Sequence, residues 1–197
     1  MFSILNLWDL RLAGMDESKQ QKRPPCTSSP NDATTMNGSC RPRGISSLCA
    51  GSGPTSGLLF ALGADNQLYT YDSPSLIPLG VEGHPNLRTS FYVRLSGSPC
   101  GRWLASGGSG KNGSSFLFDV SNAARLSASS KSLAAAVELR GQTGEVGAVD
   151  WAHEILATCA DDGTVRVWRP NYDVYQKCLS DPDAERWNWS GSQDIYS

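Results

Sequence analysis

Short β-prone runs return along this chain in sets, and each set closes on an aromatic residue followed by a polar or charged one. The closing pairs are Trp8-Asp9, Tyr71-Asp72, Phe118-Asp119 and Trp168-Arg169, at intervals of 63, 47 and 50 residues. The runs themselves lie at 45–49, 58–62, 67–71, 90–95, 103–106, 115–120, 146–151, 155–159 and 164–168. They alternate in polarity or are rich in β-branched and aromatic residues, and Gly, Asp, Asn, Ser and Pro clusters separate them. A unit of this kind buries its apolar faces only against neighbouring units, so recurrence at a near-constant period predicts stacked all-β sheets.

Outside the repeat the composition changes. Residues 12–43 are Lys, Gln, Pro, Ser, Thr and Asn with almost no branched apolar side chains, too few to offset the entropy of ordering the chain. The sequence therefore divides into the end of one unit at 1–11, a flexible low-complexity insertion at 12–43, three units at 44–170 and a tail at 171–197. Residues 121–136, rich in Ala and Ser without apolar periodicity, read as an exposed loop. Basic clusters at 19–23 and 41–43 fit a solvated linker, a nuclear import signal or a phosphate contact. The tail carries Trp187-Asn188-Trp189, which could pack on the last unit or meet a partner.

Bulk composition narrows the class. At 39% apolar and 9% aromatic the chain is globular, and 17 basic against 19 acidic residues give no field that would draw it onto nucleic acid or an anionic membrane. The six cysteines, at 26, 40, 49, 100, 159 and 178, form no CxxC pair and no zinc-like grouping, so free thiols and no metal are expected. No apolar run approaches the ~20 residues of a membrane span. The opening 1–11 stretch lacks the basic start and unbroken apolar core of a secretory signal, which points to a soluble intracellular protein.

Turn chemistry recurs with the runs. Gly83-His84 precedes the second set of strands, Gly141-Gln142 precedes the third, and Ala160-Asp161-Asp162-Gly163-Thr164 makes a tight turn leading to Trp168. These residues resemble the WD40 family. The resemblance implies a β-propeller whose blades join a Gly-His, a turn Asp, a strand Ser or Thr and a Trp by buried hydrogen bonds, because a packed indole N–H needs a partner. Carried over, the last blade supplies Thr158, Asp162 and Trp168, with Gln142 where His is usual. The middle blade has His84 and Ser106, with Phe118 for Trp and Asn112 near the Asp position, and the first has Asp65 with Tyr71 for Trp. No network carries every family residue. The last two intervals lie slightly above the ~40–45 residues of such a blade, and the first equals a blade plus most of the insertion.

The expected fold is an all-β partial WD40 propeller: about three four-stranded blades and the end of a fourth, with a disordered insertion. Propellers close with roughly four to eight blades. Only seven residues precede Trp8, so a truncated chain or gene model is expected, with the missing strands upstream of Met1. An open arc completed by oligomerisation would leave blade faces exposed.

The first unit ends Trp8-Asp9-Leu10-Arg11. Within the family this Trp-Asp-x-Arg sequence, the DWD box, marks propellers that dock on the damage-specific DNA-binding adaptor of a cullin-RING ubiquitin ligase. Trp8 would anchor in the blade, with Asp9 and Arg11 at the rim, where a guanidinium can pair with a partner carboxylate. The succession of segments that follows, with Ser90-Phe91-Tyr92-Val93 its most distinctive string, resembles the C-terminal blades of denticleless-type substrate receptors of that ligase. The resemblance implies a nuclear protein that presents replication-licensing and cell-cycle proteins for ubiquitination while they are clamp-bound on DNA. A generic WD40 scaffold in a chromatin or RNA assembly is the alternative.

Catalysis has little to stand on. His84 at a blade opening reads as a structural imidazole, and His153 as a solvated turn residue. The 107–112 stretch fails the phosphate-loop pattern, because Ala105 occupies the first Gly position and Asn112 replaces the magnesium-binding hydroxyl. Asp161 and Asp162 are turn formers. A non-catalytic protein is expected, without cofactor, membrane contact or sequence-specific nucleic-acid binding.

Overall fold

The computed structural model describes residues 44–110, 113–123 and 137–170, together with the backbone of two short strands at 5–7 and 26–28. Thirteen strands lie within these residues. The first sheet is β3 (Ile45–Ala50), β4 (Leu58–Gly63), β5 (Gln67–Asp72) and β6 (Pro78–Gly83). The second is β7 (Leu95–Gly97), β8 (Trp103–Ser106), β9 (Ser115–Asp119) and β10 (Val137–Leu139). The third is β11 (Val146–Ala152), β12 (Ile155–Ala160) and β13 (Val165–Trp168). Each is an antiparallel meander in chain order, and β1 (Leu5–Leu7) pairs antiparallel with β2 (Cys26–Ser28). Such meanders have the form that the resemblance implies for propeller blades.

Alternation within single strands explains how the sheets stack. Successive side chains of a strand point to opposite faces. In β9, Phe116 and Phe118 therefore enter one core with Leu58, Phe60, Leu62 and Leu68 of the first sheet. Leu117, between them, faces the other way and packs with Val146, Val149 and Leu156 of the third sheet. In β8, Leu104 and Ala105 divide in the same manner. The middle sheet is thus buried on both faces. The first strands of the three sheets also approach one another: the Leu95 amide donates to Ser47 Oγ at 3.0 Å, and the Arg94 amide to the Gly147 carbonyl at 3.0 Å.

Strand boundaries depart from the sequence reading in several places. The run at 90–95 is a strand only from Leu95 onward, because Ser90 Oγ accepts the Tyr92 amide at 3.1 Å and donates to Glu145 Oε1 at 2.7 Å. Such local side-chain bonds compete with a strand ladder. The sequence also hid the outer strands β6 and β10. Strand β6 contains Pro78, Gly80 and Gly83, residues that weaken a strand signal but are tolerated at a sheet edge. Strand β2 falls within the segment expected to be a structureless insertion; in chain order it follows β1 as β6 follows β5 and β10 follows β9. Among the described residues the third sheet shows three strands. Trp8, Asp9, Arg11, Asn112, 124–136 and 171–197 lie outside the described residues.

Candidate functional site

The third sheet carries a chain of hydrogen bonds centred on the buried Gln142 and Thr158. Trp168 Nε1 donates to Thr158 Oγ1 at 3.0 Å, and Thr158 Oγ1 donates to Gln142 Oε1 at 2.7 Å. The Gln142 amide then donates to the Thr164 carbonyl at 3.1 Å and Oγ1 at 3.2 Å. Gln142 is buried and stands where the family has His; like imidazole it offers an acceptor on one side and a donor on the other. Asp162 completes the turn, accepting the Thr143 amide at 2.7 Å and the Thr164 hydroxyl at 2.6 Å. The Thr164 hydroxyl, with the Thr143 and Thr164 amides, holds the Asp162 carboxyl down to about 2. Replacing Thr158 with Val should cost about 1–3 kcal/mol, because the Trp168 N–H loses its acceptor and Gln142 Oε1 its hydroxyl donor. Urea unfolding measures the loss, and an unchanged midpoint would show the relay to be dispensable.

His84 and Ser106 share no such link. His84 is half-buried, its ring lies 5.1 Å from that of Phe116, and its Nδ1 accepts the Asn86 amide at 3.1 Å. Burial, opposed by the Glu138 charge, lowers its pKa and favours the neutral ring. Ser106 is buried and donates to the Gly107 carbonyl at 2.8 Å. With Phe118 in place of Trp, no indole N–H requires that hydroxyl. In the first sheet, Asp65 accepts the Tyr69 hydroxyl and, at 3.3 Å, the Gln67 amide. Burial, reinforced by Asp65, raises the Tyr69 pKa.

Two of the aromatic-polar closures share a geometry. Tyr71 and Phe118 are buried, while the Asp after each caps the outgoing turn. Asp72 Oδ2 accepts the Ser75 amide at 3.1 Å, and Asp119 Oδ1 accepts the Ser121 amide at 3.1 Å. Asp119 also pairs with Arg102 at 2.9 Å, and Arg102 lies over the Trp103 ring. Two residues past each Asp, Pro74 and Ser121 are exposed.

Other surface features were not read from the sequence as sites. Phe91 and Tyr92 are 68% and 76% exposed, within the string that looked most distinctive. Glu82 is buried and neither of its carboxyl oxygens finds a hydrogen-bond donor. Glu138 gathers donors from three separate loop positions, Asn86, Ser114 and Arg140, and no local motif announces it. Among the described residues no three His, Cys, Asp or Glu side chains are grouped to hold a metal, and no helix is long and apolar enough to cross a membrane.

Comparison with known proteins places these features. The family profile described as "WD domain, G-beta repeat" matches residues 133–169. "Denticleless protein homolog B" of Xenopus laevis is 34% identical over 175 residues, 85% of this chain and 22% of that protein. "Cell division cycle protein cdt2" of Schizosaccharomyces pombe is 35% identical over 171 residues, 84% of this chain and 31% of that protein. "Denticleless protein homolog" of Homo sapiens is 30% identical over 183 residues, 88% of this chain and 22% of that protein. The chain thus spans between about a fifth and a third of the length of these relatives. A solved structure described as "Structure of U3-55K" superposes with a TM-score of 0.52 at 18% identity, covering 66% of this chain and 37% of that one, a likeness of fold alone. The chain therefore carries a WD40 repeat at residues 133–169, and over most of its own length it resembles Denticleless proteins.

Proposed function

We propose that this chain supplies blades of a non-catalytic substrate receptor in a cullin-RING ubiquitin ligase. The observation that carries the reading is its 34% identity over 175 residues to a Denticleless protein homolog. In this reading the Trp8-Asp9-Leu10-Arg11 sequence meets the damage-specific DNA-binding adaptor. The substrates are replication-licensing and cell-cycle proteins, clamp-bound on DNA, so the receptor works in the nucleus. The other blades lend support. An Asp after a buried aromatic caps its own turn at Asp72 and Asp119, while the position two residues on is exposed. By that pattern Asp9 would shape a turn, and Arg11 would be the side chain left to reach a partner carboxylate.

Arg11→Ala tests the assignment. The tagged chain and its variant, expressed in cells, are purified from the nuclear fraction, and adaptor and cullin peptides are quantified by mass spectrometry. Loss of one well-placed arginine contact should lower adaptor recovery by about fivefold or more. Equal recovery from both would remove Arg11 from the adaptor contact. Absence of adaptor and cullin from both would favour a WD40 scaffold in a chromatin or RNA assembly.

A further inference from the structure

A cleft of about 510 Å³ opens between the loop that leaves the first sheet and the rim of the second, lined by Asn86, Arg88, Ser114, Phe116, Glu138 and Arg140. The Glu138 side chain is only 6% exposed and accepts three separate donors. These are Arg140 Nη2 at 2.8 Å, Ser114 Oγ at 2.8 Å and Asn86 Nδ2 at 3.1 Å. Burial pushes the Glu138 carboxyl up, and those three donors outweigh it, bringing it down to about 2. Glu138 is therefore an ionised anchor whose charge Arg140 neutralises.

Arg88 is different. Its Nη1 donates to the backbone carbonyls of Pro85 at 2.9 Å and Leu87 at 2.8 Å, which fixes the guanidinium at the cleft. Among the described residues no carboxylate pairs with it. Its Nη2 and Nε carry no such bond, so the planar fork keeps donors and a full positive charge for a ligand. Two arginines against one glutamate leave the cleft a net single positive charge. That charge matches one carboxylate; a phosphate, at nearly two negative charges, would leave excess negative charge beside Glu138.

We propose that this cleft binds an acidic peptide segment of a partner protein, with the exposed Arg88 guanidinium taking an Asp or Glu carboxylate. Glu138 is a positioning residue, holding Arg140 and Asn86 on the cleft wall. The site does not depend on the ligase reading: it uses none of Trp8, Asp9 or Arg11, and it would serve a scaffold equally.

Fluorescence anisotropy of the full 197-residue chain tests it. The probe is a fluorescein-labelled Gly-Ser-Gly-Leu-Glu-Leu-Ser-Gly peptide. Two counterparts replace the Glu with Gln or with phosphoserine. The Glu peptide should bind, and the Gln peptide should bind about tenfold more weakly, the worth of one charge-assisted contact. Arg88→Ala should remove that preference, and Arg88→Lys should restore part of it, with the thermal transition of each variant close to that of the parent. The preference should also shrink as salt is raised. Equal binding of the Glu and Gln peptides, no binding of the Glu peptide, or an unchanged preference in Arg88→Ala would overturn the proposal. Tighter binding of the phosphoserine peptide would overturn the carboxylate assignment. Adaptor recovery with Arg11→Ala reports on the ligase reading alone, so the two ideas fail separately.

Discussion

Phe118→Ala should lower the unfolding free energy by about 3–5 kcal/mol, a large part of the roughly 5–15 kcal/mol available to a domain. Phe118 is 0% exposed, and its ring sits among Leu58, Phe60, Leu62 and Leu68 of the neighbouring sheet and Leu104 of its own. Truncation removes the transfer free energy of the ring and leaves a void, because sheets fixed by backbone ladders collapse only in part. Phe118→Leu fills much of the same volume and should cost far less. Urea unfolding of the three proteins measures both differences. A loss under about 1 kcal/mol for the alanine variant would mean that the first two sheets do not rely on this interface.

Glu82→Gln should flatten the pH dependence of stability between about pH 4.5 and about pH 8. Glu82 is 1% exposed on strand β6, and burial raises its carboxyl to about 8. The Thr70 hydroxyl nearby lowers it only in part, and no donor completes a hydrogen bond to either oxygen. The folded value stands above the unfolded one. The neutral carboxyl's contribution is therefore fully present below the unfolded pKa of about 4.5 and is lost as pH rises towards about 8. Each pH unit in that window removes up to about 1.4 kcal/mol, of the order of 3 kcal/mol across most of it. Glutamine keeps the shape and stays neutral, so the variant should gain on the parent between mildly acidic and mildly alkaline buffer. Parallel slopes for the two proteins across that window would show that Glu82 is ionised or solvated in the fold.

What the sequence made legible follows from which strands face two layers. The runs that became β4, β5, β8, β9, β11 and β12 carry alternating or apolar patterns because packed sheets demand them, and the aromatic-Asp closures mark where a buried ring meets a turn. The outer strands escaped because an edge needs backbone pairing more than side-chain pattern; Pro78 and Gly80 sit in one without harm. Gln142 was legible as a departure from His, but not as its working equivalent, since only the distances to Thr158 and Thr164 show that an amide spans the same gap. The cleft was illegible for another reason: Asn86 and Glu138 are 52 residues apart, and only the stacking of two sheets brings them together.

Burial of the middle sheet on both sides sets an order of local opening. Its amides can meet solvent only when a neighbouring layer has lifted away, whereas the third sheet leaves Cys159 and Val165 exposed on its far face. In deuterated buffer the Phe116 to Phe118 amides should exchange last, near the rate of whole-molecule unfolding, while β13 exchanges through shallow fluctuations. The first sheet buries Ala61, Tyr69 and Tyr71 on its other face as well, so it is the third sheet that can breathe against a stationary pair.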